Sequence, residues 1–99
     1  MNESIVYFLK ITPKPEYYVE IMQKIQDIIP LVLQIPGCEV FSLSASIDPN
    51  DQSLFLYEVF ADQKSYDSYH AQGYTQILKE VCKDGLVSPI QGQRLVKIA

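Results

Sequence analysis

Seven consecutive residues, Leu54-Phe55-Leu56-Tyr57-Glu58-Val59-Phe60, include six that are apolar or aromatic and a single carboxylate. The period of two places Leu56, Glu58 and Phe60 on one face of a strand and Phe55, Tyr57 and Val59 on the other. Both faces are therefore largely apolar, and a strand of that kind has to be covered on both sides. Glu58 shares its face with two large apolar side chains. A carboxylate placed there is costly to ionise unless paired, so its pKa is expected to rise. Gln63 or Lys64 then opens a helix that carries His70, the chain's one histidine. An unperturbed imidazole is the side chain that titrates near neutral pH, which makes the interval from Glu58 to His70 the natural place for proton chemistry.

The remaining elements follow from periodicity and punctuation. Ser4 to Ile11 alternates as a strand, with Ile5, Tyr7, Leu9 and Ile11 against Val6, Phe8 and Lys10. Pro13 and Pro15 stand at a helix threshold, where a missing N–H costs little. Glu16 to Gln34 reads as a helix whose stripe is Tyr18, Met22, Ile25, Ile28, Ile29 and Val32, with Pro30 expected to kink it or split off its last turn. Cys38 to Ile47 is a second strand, turning Phe41, Leu43, Ala45 and Ile47 one way and Ser42, Ser44 and Ser46 the other. Asp48-Pro49-Asn50-Asp51 is a dense turn signal that joins it as a hairpin to Ser53–Phe60. In the second helix the expected inward stripe is Tyr66, His70, Tyr74, Ile77, Leu78 and Val81, with Gly73 a possible break and Asp84-Gly85 a stop. Gln91 to Ile98 supplies the last strand.

Strand, helix, strand, strand, helix, strand with right-handed crossovers gives an α+β, ferredoxin-like βαββαβ fold, a four-stranded antiparallel sheet with helices on one face. The chain of 99 residues is read as one domain, 1–99. The uncovered face, with Val6, Phe8, Phe55, Tyr57 and Val59, calls for a second copy of the chain, so a homodimer through the open sheet face is expected.

Composition narrows the partners. Twelve carboxylates against eight scattered Lys and Arg leave no track for phosphates, so nucleic acid is not expected. The longest apolar-biased stretch, Ile25 to Ile35, is too short and too interrupted to span a bilayer, and no membrane association is expected. Met1-Asn2-Glu3-Ser4-Ile5 lacks the layout of a signal peptide. Cys38 and Cys82 form no metal-ligand or redox spacing and read as reduced thiols of a cytoplasmic protein.

Glu58 admits a structural reading, an acceptor of hydrogen bonds, and a functional one, an acid or base in a pocket wall. His70 admits a core histidine, a general base or an axial haem ligand. The many tyrosines are ordinarily packing residues, and their number also suits a flat aromatic ligand.

The runs Ile35-Pro36-Gly37-Cys38-Glu39-Val40-Phe41, Leu54 to Phe60, and Ser65-Tyr66-Asp67-Ser68-Tyr69-His70 together resemble the antibiotic biosynthesis monooxygenase domain family. Its members carry a similar Pro-Gly-Cys, then a strand ending in Glu-x-Trp, then a helix whose first turns end in His. The resemblance implies a dimeric α+β barrel and a monooxygenase that oxidises a small aromatic, a quinol or polyketide-like phenol, with O2 and without cofactor or metal. It implies catalytic roles for His70 and Glu58 and sets Phe60 at the position of the Trp; with the tyrosines on the same helix face and on the first strand, substrate contacts are expected from Tyr7, Phe60, Tyr66 and Tyr74. Haem-degrading relatives use a strand-1 Asn, the Trp and the His. Here Tyr7 falls near the Asn position and Phe60 replaces the Trp, which argues against haem degradation. Two alternatives stay open: a dimeric module that binds a small aromatic without turnover, and a haem-binding protein.

Overall fold

The computed structural model describes residues 3–99. Four strands, β1 (Ile5–Ile11), β2 (Cys38–Ala45), β3 (Leu54–Phe60) and β4 (Gln91–Leu95), form one antiparallel sheet in the order β2-β3-β1-β4. Three helices accompany them: α1 (Tyr18–Val32), α2 (Gln63–Ala71) and α3 (Gly73–Gly85). This is the ferredoxin-like α+β arrangement expected from the order of elements. A 3-10 turn, Pro15–Tyr17, absorbs the second threshold proline before α1 begins.

The core lies between the helices and one sheet face. α1 buries Ile21, Ile25, Ile28 and Val32, spaced four, three and four residues apart. Tyr18, Met22 and Ile29, placed in the stripe by sequence, flank it half-buried, and Ile21 takes the centre. Pro30 lies exposed inside the last turn, and the helix runs on to Val32. The ring therefore costs the backbone bond toward Gln26 without splitting off a separate turn. From the sheet, Ile5, Ile11, Phe41, Leu54, Leu56 and Phe60 complete the core.

Three expectations are corrected. β2 ends at Ala45, and Ile47 is fully exposed because the chain already bends there into the Asp48–Asp51 turn, with Ser46 Oγ accepting the Asp48 N–H at 3.1 Å and Asp48 Oδ1 accepting the Asn50 N–H at 2.9 Å. β4 ends at Leu95, leaving Val96 and Ile98 exposed beyond it. The third concerns the second helix, which is two helices. Gln72 is extended (φ −70°, ψ 144°), and the carbonyls this frees are taken up locally. Thr75 Oγ1 donates to Tyr69 O at 2.7 Å, and Gln76 Nε2 donates to His70 O at 2.6 Å. The break resets the helical phase. α2 points Ser65 and Tyr69 inward, and α3 points Thr75, Leu78 and Cys82 inward. Ile77, expected inside, is 59% exposed.

The connection from α1 to β2 is fixed by Gly37. Its φ of +92° suits glycine, and a Cβ there would overlap the Ser65 hydroxyl. That hydroxyl is already committed. Asp62 caps α2 by accepting from Ser65 N at 2.8 Å and Ser65 Oγ at 2.7 Å, and these bonds hold its carboxyl below the usual carboxylate range. Gly37 O in turn accepts the Ala61 N–H at 2.7 Å. The Pro-Gly-Cys motif is thus the seat on which the start of α2 rests. Gly37→Ala combines a left-handed backbone penalty with loss of cap geometry, and should destabilise the protein by roughly 2–3 kcal/mol in urea unfolding. A loss under about 0.5 kcal/mol would contradict this account.

Candidate functional site

One row of residues crosses the helix-facing side of the sheet: Phe41 on β2, Glu58 on β3, Tyr7 on β1 and Arg94 on β4, each opposite the next. α2 lies above it. The Tyr66 ring stacks on Tyr7 (5.4 Å between centroids) and meets Phe60 edge-on at 5.6 Å. Tyr69 stacks on Phe60 at 5.6 Å and meets Phe41 edge-on at 5.2 Å. His70 touches both tyrosines, at 4.5 Å from Tyr66 and 4.8 Å from Tyr69. Such pairs are each worth about 0.5–1.5 kcal/mol beyond area burial, so the rings clamp α2 onto β3.

Glu58 lies beneath this cluster, 2% exposed, and makes no ion pair or hydrogen bond among the described residues. Burial alone pushes its carboxyl up to about 7. Its charge reaches outward. After burial, Glu58 is the next cause that raises Tyr66, to about 12, raises Tyr69, and raises Cys38, to about 11.

His70 ends α2 half-buried. Burial first, then the Lys79 charge, lower its pKa, with Asp67 opposing, so the imidazole is neutral near pH 7. Glu58 and His70 do not meet: they flank the Tyr66 and Tyr69 rings and share no hydrogen bond. The imidazole touches the rings from α2, and the carboxyl stands in the sheet row between Phe41 and Tyr7.

Of the residues singled out in the sequence, Tyr7, Glu58, Phe60, Tyr66 and His70 gather here. Tyr74 does not join the ring contacts. It starts α3 and lines a groove of about 140 Å3 with Lys24, Asp27 and Ile28 of α1. The larger clefts also lie elsewhere: one of about 650 Å3 runs beside α3 and the segment that follows it, lined by Cys82 and Leu86. The rings fill the space between α2 and β3. Tyr69, Phe41 and Arg94 belong to the cluster and were missed. The Asp62 cap three residues before Ser65 was the available signal for Tyr69, because it sets the phase in which Ser65 and Tyr69 face inward. For Arg94 the signal was that it is the sole arginine of the chain.

No group of three or more His, Cys, Asp or Glu among the described residues is gathered to hold a metal ion. Both thiols are free, Cys82 buried and Cys38 half-buried. No helix of the described residues is long and apolar enough to cross a membrane.

The raised pKa of Glu58 makes stability depend on pH in a definite direction. Its proton is held more tightly folded than unfolded, so its favourable contribution is complete below pH 4.5 and is lost as pH rises through about 7. Glu58→Gln removes that titration. The variant should match the native protein at pH 4 and exceed it at pH 8 by on the order of 2–3 kcal/mol in urea unfolding. Equal differences at the two pH values would contradict the assignment.

A family model for antibiotic biosynthesis monooxygenase matches residues 4–78. Among solved structures, Rv0793 from Mycobacterium tuberculosis superposes with a TM-score of 0.88 at 14% identity, covering 98% of this chain and 97% of that one. A conserved protein from Methanosarcina mazei gives 0.85 at 20% identity, covering 98% and 95%. PA3566 from Pseudomonas aeruginosa gives 0.87 at 12% identity, covering 100% and 98%. At these identities the likeness is one of fold. No curated protein matches the chain. The fold, the order of the motifs and the family match over residues 4–78 agree: the chain belongs to the antibiotic biosynthesis monooxygenase family.

Proposed function

We propose that the protein is a dimeric monooxygenase that oxidises a small, electron-rich aromatic, a quinol or polyketide-like phenol, with O2 and no cofactor. The observation that carries this reading is the buried, unpaired Glu58 under an aromatic cluster that also holds the neutral imidazole of His70. An electron-rich phenol supplies both electrons itself. For an anthrone-like substrate one oxygen atom enters the ring as a carbonyl and the other leaves as water with two substrate hydrogens, so no outside reductant is consumed.

In this scheme His70 takes the phenolic proton as general base, which its lowered pKa favours at pH 7. The phenolate passes an electron to dioxygen, and the radicals recombine. Tyr7 and Tyr66 sandwich or replace one another against the substrate ring, Phe60 supplies the apolar wall, and Glu58, half-protonated near pH 7, returns a proton to the departing oxygen. Because the rings are closed on one another, substrate enters only as Tyr66 moves off Tyr7. Tyr74 is given a place at the entrance between α1 and α3 rather than against the substrate. Oxygen uptake with a panel of hydroquinones and anthrones tests the reading. His70→Ala should lower the rate by about 100-fold or more, while Val19→Ala, on the exposed side of α1, should not. No uptake with any substrate, or equal rates for native protein and His70→Ala, would sink it.

The tight packing of the rings favours one other reading, a module that binds an aromatic without turning it over. Quenching of tyrosine fluorescence by ligand with no oxygen uptake is its signature.

The dimer is proposed through the outer sheet face. There Phe8 and Tyr57 are 40% and 38% exposed, and Phe8 stacks on Phe55 at 5.7 Å. Val6 and Val59 on that face are already buried within the chain, because the segment after β4 crosses its end and Lys97 meets Glu39 at 3.5 Å. The available interface is thus the half around Phe8, Phe55 and Tyr57. Light scattering of Tyr57→Lys at micromolar concentration should give the monomer mass where the native protein gives twice that mass. A native monomer would remove the dimer from the proposal.

A further inference from the structure

Arg94 is the one arginine of the chain, and among the described residues it makes no ion pair and no hydrogen bond. Its guanidinium carbon stands 5.5 Å from the centre of the Tyr7 ring. Arg94 pairs with Tyr7, and Tyr7 pairs with Glu58, so the guanidinium and the buried carboxyl belong to one register row, their α-carbons about 10 Å apart at ordinary strand spacing. The charge of Arg94 also reaches Tyr66, the ring stacked on Tyr7, where it weakly opposes the rise caused by burial and Glu58.

The surroundings of Arg94 are open. No helix packs closely on β4. Two residues earlier on the same face stands Gly92, opposite Leu9. The helix-facing side of β4 is consequently a ledge: the Leu9 side chain leaning over Gly92 at one end, the exposed guanidinium of Arg94 at the other, and the edges of Tyr7 and Tyr66 as its inner wall. An unpaired guanidinium laid against an aromatic face matches a planar anion, because it can donate two parallel hydrogen bonds to a carboxylate while a ligand ring continues the stack.

We infer that Arg94 is a specificity-determining residue that selects aromatic acids, substrates whose ring lies against Tyr7 and Tyr66 and whose carboxylate is held by the guanidinium. This rests on the proposed function for the location of the substrate ring, and it narrows the substrate class from any phenol to one carrying a carboxylate. The buried Glu58 limits how far inward that anion can lie, so the carboxylate end of the ligand points to β4 and the oxidisable ring carbon toward α2 and His70.

The probes are 2,5-dihydroxybenzoate and hydroquinone, which differ by the carboxylate, with affinities read by quenching of tyrosine fluorescence. The native protein should bind 2,5-dihydroxybenzoate about tenfold more tightly, the scale of one charge-assisted contact. Arg94→Gln should reduce that preference to about twofold or less, and Arg94→Lys should restore part of it. Because Arg94 is exposed, neither substitution disturbs the core. Equal affinity of the native protein for the two probes, or a preference that survives in Arg94→Gln, would overturn the inference. Binding is read apart from turnover, so the two ideas fail separately. An Arg94-dependent preference without oxygen uptake sinks the enzyme and keeps the acid site. Hydroquinone oxidation without any preference does the reverse.

Discussion

β3 is hydrogen-bonded on both edges, to β2 and β1, and lies under α2 on the helix side, with Leu54, Leu56 and Phe60 almost wholly removed from water. That double coverage is the constraint from which the rest follows. A strand with so much apolar surface is forced to the middle of the sheet, and whatever polar group it carries is forced in with it. Glu58 is that group. Its neighbours supply aromatic rings rather than cations, so the carboxyl keeps its proton to about pH 7 instead of forming a salt bridge. A stability cost is fixed at the point where the chain also brings its histidine.

Much of this was legible in the sequence. Alternation in Ile5–Ile11 and Leu54–Phe60 fixes two strands and their faces, and the turn residues at Asp48–Asp51 give the hairpin between β2 and β3. The family resemblance singled out Tyr7, Glu58, Phe60, Tyr66, Tyr74 and His70, of which all but Tyr74 are neighbours in the structure. What could not be read was the phase of the second helix. A periodic stripe assumes an unbroken helix. Here the free carbonyls of Tyr69 and His70 are satisfied by Thr75 and Gln76 side chains, so the helix can break at Gln72 at little cost, and Tyr69 rather than Tyr74 turns inward. Arg94 was hidden for a different reason. β4 reads as Gln-Gly-Gln-Arg-Leu, with too little alternation to assign faces, and only pairing with β1 shows which side it takes.

The family match and the geometry contribute different things. The match fixes the lineage of the fold over residues 4–78. The geometry shows that the imidazole of His70 touches the Tyr66 and Tyr69 rings while the Glu58 carboxyl lies in the sheet row between Phe41 and Tyr7, which is a different arrangement from an acid–base pair in contact.

The break at Gln72 has one more consequence. It leaves α2 with only nine residues, too few to persist as a helix without tertiary support. Its support is the Asp62 cap at one end and the stacked rings along its length. Parting those rings to admit a ligand therefore removes part of what keeps α2 helical. Under the proposed function, ligand entry and the local melting of α2 draw on the same contacts, and a ring that slides into the vacated place rebuilds the helix as it binds. Recognition of the ligand and the folding of one-eleventh of the chain would then be a single equilibrium.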